Sequence, residues 1–196
     1  MSALPVATTV DDVTTPAGAR LLDTASRLFY ERGIRGVGVE LIAEEAGTTK
    51  KTLYDRFGSK DGLVVLYLRR RAAHWQQRAL AHLAGHPEPG PGRILSVFDA
   101  LEDWLDRQER GCAFVNAYAE VGGTDHPALP LIRAEKAWMR ELFTGLAEEA
   151  GYDGSARLGA QLHLLYEGAV VALTAGDEPD AVGHARDAAE RLLRTD

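Results

Sequence analysis

The stretch "LIAEEAGTTKKTLYDRF", Leu41 to Phe57, decides how the chain is read. Val39, Leu41, Ile42 and Ala46 give a short apolar stripe that Gly47 ends, and a second short helix runs on to Gly58. At about 100° per residue, with Leu53 pointing inward, Thr49 and Phe57 fall about 40° to either side and share the buried face. Lys51 and Asp55 fall about 160° away on opposite sides, so they stand outermost, flanked by Thr52 and Tyr54. A short second helix presenting such a face after a tight glycine turn is what a helix-turn-helix, here about 39–58, offers to the DNA major groove.

Outward from this stretch the pattern stays helical. Apolar residues recur at three and four nearly everywhere, and no sustained alternation marks a strand, so the fold class is all-α. Residues 1–16 lack periodicity and read as a disordered arm. A first helix is expected from Ala17 to Arg32, with Gly33 as its C-terminal cap. Ser59 is placed to cap a fourth helix that runs to about Leu83. "GHPEPGPG", residues 85–92, is the clearest breaker, and helices follow at about 93–109, 112–121, 128–150, 155–175 and 179–194.

With 196 residues and 45% hydrophobic composition, the chain is long enough to bury a proper core. No leader pattern and no run of 18 apolar residues is present, so a cytoplasmic protein without membrane contact is expected. Cys112 has no cysteine partner, and the six histidines form no ligand pattern, so neither a disulfide nor a metal site is expected. No phosphate loop, di-iron motif or nucleophile signature points to an enzyme, and no cofactor is implied. Net charge is −7, yet residues 17–70 hold ten Lys/Arg against seven Asp/Glu, so +3 there faces −10 in the remainder. A basic head on an acidic body suits nucleic-acid binding at one end.

The segment "ASRLFYERGIRGVGVELIAEEAGTTKKTLYDRFGSKDGL" closely resembles the N-terminal domain of TetR-family transcriptional regulators. Ala25, Leu28, Phe29, Gly33, Ile42, Ala43, Ala46, Gly47, Thr52, Leu53, Tyr54, Phe57, Lys60 and Leu63 carry the resemblance, which covers roughly the first third of the chain. It implies a three-helix DNA-binding domain (17–77) on a long connecting helix, followed by a helical-bundle ligand-binding and dimerisation domain (78–196). It implies a homodimeric repressor of operator DNA, released by a small organic molecule, with the last two helices pairing across the dimer.

The same resemblance puts Thr49, Lys50, Lys51, Thr52, Tyr54 and Arg56 on the recognition helix. Thr49 and Thr52 have hydroxyls for phosphates, Tyr54 a hydroxyl for phosphate or a ring for a thymine methyl, and Lys50 and Arg56 charges for the backbone. Lys60 adds its charge at the start of the fourth helix, where free N–H groups favour a phosphate. Three features depart from the family pattern. Val37 and Gly38 stand where a hydroxyl residue is common, leaving a backbone N–H at Gly38 for that contact. Lys51 replaces a small residue and has the reach for guanine O6 and N7, while Asp55 can accept from a cytosine N4 or hold Lys51 in place.

In the body, Phe98, Trp104, Phe114, Tyr118, Trp138 and Phe143 form an aromatic-rich set, with Asn116, His163, Tyr166 and Glu167 as polar candidates. Together with Trp75 on the fourth helix they would line an effector pocket or, equally, fill a packed core. Cys112 beside Arg110 is either a redox sensor or a small buried hydrophobe. A regulator that needs no ligand and docks a protein partner is the remaining alternative.

Overall fold

The computed structural model describes residues 4–8, 15–106 and 110–194, and among these the regular structure is entirely helical. The helices are α1 (Pro16–Arg32), α2 (Val39–Glu45), α3 (Lys50–Phe57), α4 (Lys60–Ala84), α5 (Pro91–Leu105), α6 (Ala113–Val121), α7 (Leu129–Glu149), α8 (Ser155–Thr174) and α9 (Ala181–Leu192). Two compact units result. One takes the described residues of Thr8–Ala73 and Ala113–Glu135, the other those of Met1–Ala7, His74–Cys112 and Lys136–Asp196. The long α4 runs from the first into the second.

In the head unit, α1, α2 and α3 pack on one another through Leu21, Leu28, Ile42 and Leu53, all fully buried. Local chemistry sets the ends. Thr15 accepts from the Gly18 amide at 3.2 Å and Pro16 opens α1, because a proline costs no hydrogen bond in the first turn. Gly33 closes α1 at φ 82°, a conformation that favours glycine, and its amide bonds the Phe29 carbonyl. Ser59 caps α4 by accepting from the Gly62 amide at 2.9 Å.

The body unit has a continuous core in which Phe98, Leu142, Phe143 and Leu162 are fully buried. Gly159 lets α8 lie against α7, since a Cβ there would sit 2.3 Å from Thr144 Oγ1. The aromatic rings chain together: Trp75 with Trp104 at 5.7 Å and with Tyr166 at 5.9 Å, Phe143 with Phe98 at 5.7 Å and with Tyr166 at 6.1 Å. α5 begins at Pro91, earlier than the periodicity predicts, because the breaker's last proline serves as a first-turn residue. Of the segment 93–109, residues 107–109 lie outside the described residues.

Part of the expected arm is described. Residues 4–7 belong to the body unit: Leu4 packs on its core, and the Val6 carbonyl accepts from the Trp138 indole at 3.0 Å. An indole N–H on a residue only 7% exposed needs an acceptor, and the passing backbone supplies it. Residues 1–3 and 9–14 of the expected arm lie outside the described residues. No described helix is long and apolar enough to cross a membrane.

Candidate nucleic-acid interface

α3 is held by Leu53, fully buried, while its opposite face is left to solvent. Lys51 and Asp55 keep 84% and 58% of their side-chain surface exposed and pair at 2.8 Å. The bond to Asp55 raises the Lys51 ammonium above its usual value. Tyr54 is 48% exposed, and Arg56 is exposed beside it.

Thr49 departs from the helical wheel. It is exposed and lies outside the helix as its N-cap, at φ −117°, accepting from the Thr52 amide at 3.1 Å. Its hydroxyl also lies 3.0 Å from that of Thr52. The two threonines therefore form one cap. Lys50 does not lie free: its Nζ donates to Glu40 Oε1 of α2 at 2.9 Å. That bond raises the lysine, and, with a backbone bond, holds the Glu40 carboxyl below the usual range.

Gly38 is the N-cap of α2 at φ −85°, with no side-chain cap above it. Lys60 is half-buried at the start of α4, and burial lowers its ammonium, opposed by the charges of Asp61 and Glu120. Two residues were not anticipated from sequence. Glu40 pairs with Lys50 across the turn, and Arg20 of α1 donates to the Ala46 carbonyl at 3.2 Å, fixing the end of α2. Neither contact has a local signal, since each joins different helices.

The proposed effector-lining residues belong to both units. Phe114, Asn116 and Tyr118 sit on α6 in the head unit, with Phe114 buried and Tyr118 50% exposed. Trp75, Phe98, Trp104, Phe143 and Tyr166 are the packed ring chain of the body, with His163 stacked on Tyr166 at 6.4 Å and Trp138 buried nearby in the same core. A solvent-open cleft of about 1070 Å³ in that unit shares only Trp104 with this set; Arg78, Glu102, Asp103, Leu173 and Asp177 are among its lining. Glu167 is instead bound by Lys136, whose Nζ lies 2.8 and 2.9 Å from its oxygens and 3.3 Å from Cys112 Sγ. His163 Nε2 stands 3.3 Å from the same carboxylate. Burial pulls the Lys136 ammonium down, but Cys112 and Glu167 together hold it above its usual value. Burial lifts Glu167, but His163 and Lys136 hold it below the usual carboxylate range. Lys136 escaped the sequence reading because a single lysine on an amphipathic helix looks like a solvated one.

Residues 21–66 match the family described as "Bacterial regulatory proteins, tetR family". An uncharacterised HTH-type transcriptional regulator of Mycobacterium tuberculosis is 29% identical over 107 residues, 55% of this chain and 53% of that one, so the chain spans about half of that relative's length. The HTH-type transcriptional repressor KstR2 of Mycolicibacterium smegmatis is 26% identical over 80% of this chain and 76% of its own. A crystal structure of a TetR-family transcriptional regulator from Streptomyces coelicolor superposes with a TM-score of 0.84 at 32% identity, covering 91% of this chain and 90% of that one. With the helix-turn-helix in place and this likeness extending over nearly the whole chain, the protein belongs to the TetR family of transcriptional regulators, DNA-binding proteins and not enzymes.

Proposed function

We propose that the chain is a cytoplasmic, homodimeric repressor that binds an inverted-repeat operator and leaves it when a small organic ligand enters the C-terminal body. The observation that carries this reading is the α3 face, where Lys51, Tyr54, Asp55 and Arg56 stand in solvent around a fully buried Leu53. Thr49, Lys50, Thr52, Gly38 and Lys60 supply the phosphate contacts, and Lys51 reads a base edge. A relative named as a repressor supports the sign of regulation. For the dimer, α8 leaves Leu164 71% and Val171 51% exposed, with open space at Gly168 between them, a stripe at helical spacing suited to a second copy.

The test is a footprint on a duplex selected by the protein, with the titration repeated across salt. Two protected half-sites about 34–36 Å apart or slightly more, and affinity falling linearly on a log-log salt plot, are expected. A flat salt dependence or a footprint without two-fold pattern would sink the reading. A second reading has its own observation: Lys136 Nζ lies 3.3 Å from Cys112 Sγ, a cationic neighbour of the kind that makes a thiol reactive. If oxidation releases wild-type protein from DNA but not Cys112→Ser, the switch is redox rather than ligand-driven.

A further inference from the structure

We propose that Glu120 is a positioning residue for DNA reading, its carboxylate clamping the loop between α1 and α2 and so making α6 part of the machinery that sets the reading helices. The inference rests on the DNA-binding role of the head.

Where α1 ends, the amides of Ile34 and Arg35 fall outside any helix and need acceptors. One carboxylate takes both. Ile34 N donates to Glu120 Oε1 at 2.8 Å and Arg35 N to Oε2 at 2.6 Å, a two-pronged, charge-assisted grip from 85 and 86 residues away. The loop is shaped to receive it. Gly33, whose φ of 82° favours glycine, also leaves the carboxylate room, since a Cβ there would lie 2.9 Å from Oε1 and push it from its place. On the far side, Ile34 and Val37 are 5% and 0% exposed, so the loop is pinned between its own apolar anchors and the α6 carboxylate.

The junction after α6 makes a second contact within the head unit. His126 accepts from the Ala128 amide through Nδ1 at 3.1 Å, and its Nε2 lies 3.3 Å from Asp61 Oδ1 of α4, near enough for an ion pair but without a hydrogen bond. Asp61 adjoins Lys60, and the Glu120 charge also helps keep Lys60 protonated against its burial. Glu120 and His126 thus engage the two segments that frame α2 and α3, the loop before α2 and the first turn after α3. A displacement of α6 would move the support of the recognition helix.

Two plainer roles make different predictions. A carboxylate that only stabilises the fold would, when removed, lower the melting temperature and weaken all DNA alike. One that only repels phosphate would, when removed, tighten all DNA alike.

The test uses full-length protein, Glu120→Gln and Glu120→Asp, a duplex enriched from a randomised pool by the wild type, and a scrambled duplex of the same composition. Glutamine offers one acceptor and sets a donor against the other amide; aspartate keeps the charge but is one methylene too short. Both variants should bind the enriched duplex about tenfold more weakly, the scale of one lost charge-assisted bond. Scrambled DNA should bind unchanged or slightly tighter to the glutamine variant. Hydrogen exchange at the Ile34 and Arg35 amides should accelerate while that of the α1 core does not. Unchanged exchange overturns the clamp. Fast exchange with undiminished preference for the enriched duplex overturns its role in reading, as does equal weakening on both duplexes with a lower melting temperature. A wild type that enriches no sequence defeats the DNA reading itself and this inference with it, and the exchange result then still reports whether Glu120 holds the loop.

Discussion

The head and the body each hold a lysine against a carboxylate at 2.8 Å, Lys51 with Asp55 and Lys136 with Glu167, and the two pairs do opposite things. The first keeps 84% and 58% of its side chains in water, the second only 26% and 24%. In water the attraction is screened, and a phosphate or base edge can take Asp55's place at little cost. Away from water, each charge depends on the other, and losing one partner leaves the other desolvated and poorly matched. Equal geometry therefore gives an exchangeable pair in the head and a structural pair in the body. Burial, not distance, thus decides which lysine is free to exchange its partner.

The largest effect should come from the body. Lys136→Met is expected to cost about 1.5–3 kcal/mol of stability, because it strips a charge-assisted bond from Glu167, whose other described neighbour is His163. The pH dependence follows from the signs. Glu167 sits below its usual value, so its contribution is present at neutral pH and is lost as pH falls through the carboxylate range. Lys136 sits above its usual value, so its contribution survives until pH rises through the raised value. Denaturant midpoints of wild type and variant should thus differ by a constant amount around neutrality and converge in strong acid. A gap that widens in acid would show that the pair is not what the substitution removed.

Lys51→Ala is the matching break in the head. Stability should stay as it is, while discrimination at one base position falls roughly ten- to a hundredfold. Competition binding against single-base variants of the selected duplex checks this. Equal losses on specific and random DNA would reassign Lys51 to the phosphate backbone.

Thr49→Ala should do less. It removes the acceptor for the Thr52 amide and is expected to cost about 1 kcal/mol, as N-cap losses do, with Thr49→Ser restoring it. Circular dichroism melts of the two variants settle the point; a Ser variant as weak as Ala would mean that the cap is not the cause.

Thr49 also shows where sequence reading stops. Periodicity alone predicts that Leu53 points inward and Lys51 and Asp55 outward, and they do, because a helix fixes those directions within two turns. The 100° rule fails at Thr49, since an N-cap is not helical and its side chain folds back on the helix it starts. Gly33, Gly47 and Gly58 announce the helix ends for the same local reason that Ser59 announces a start: turn chemistry acts within a few residues. Contacts across the chain leave no such trace. Nothing near Glu120 says that it holds amides at 34 and 35, and nothing near Lys136 says that Glu167 faces it. Composition shows the body to be aromatic; only the rings' mutual distances show that Phe98, Phe143, Trp75 and Tyr166 pack on one another.

The smallest effect, and the sharpest check on the contrast, lies between α2 and α3. Lys50 and Glu40 pair at 2.9 Å with 54% and 67% of their side chains exposed, so solvent screens them as it screens Lys51 and Asp55. In DNA the Lys50 ammonium would exchange Glu40 for a phosphate, and Glu40, an anion at the interface, would oppose that approach. Glu40→Gln should therefore leave the unfolding midpoint in place and tighten binding to every duplex a few-fold at low salt, regardless of sequence. The gain should fade toward 1 M salt, where screening acts within about 3 Å. Lys50→Ala should do the reverse, weakening all duplexes and reducing the log-log salt slope by about one. Should Glu40→Gln destabilise the fold as much as Lys136→Met, the exposed pair would be structural after all, and burial would not be what separates the lysines of the head from that of the body.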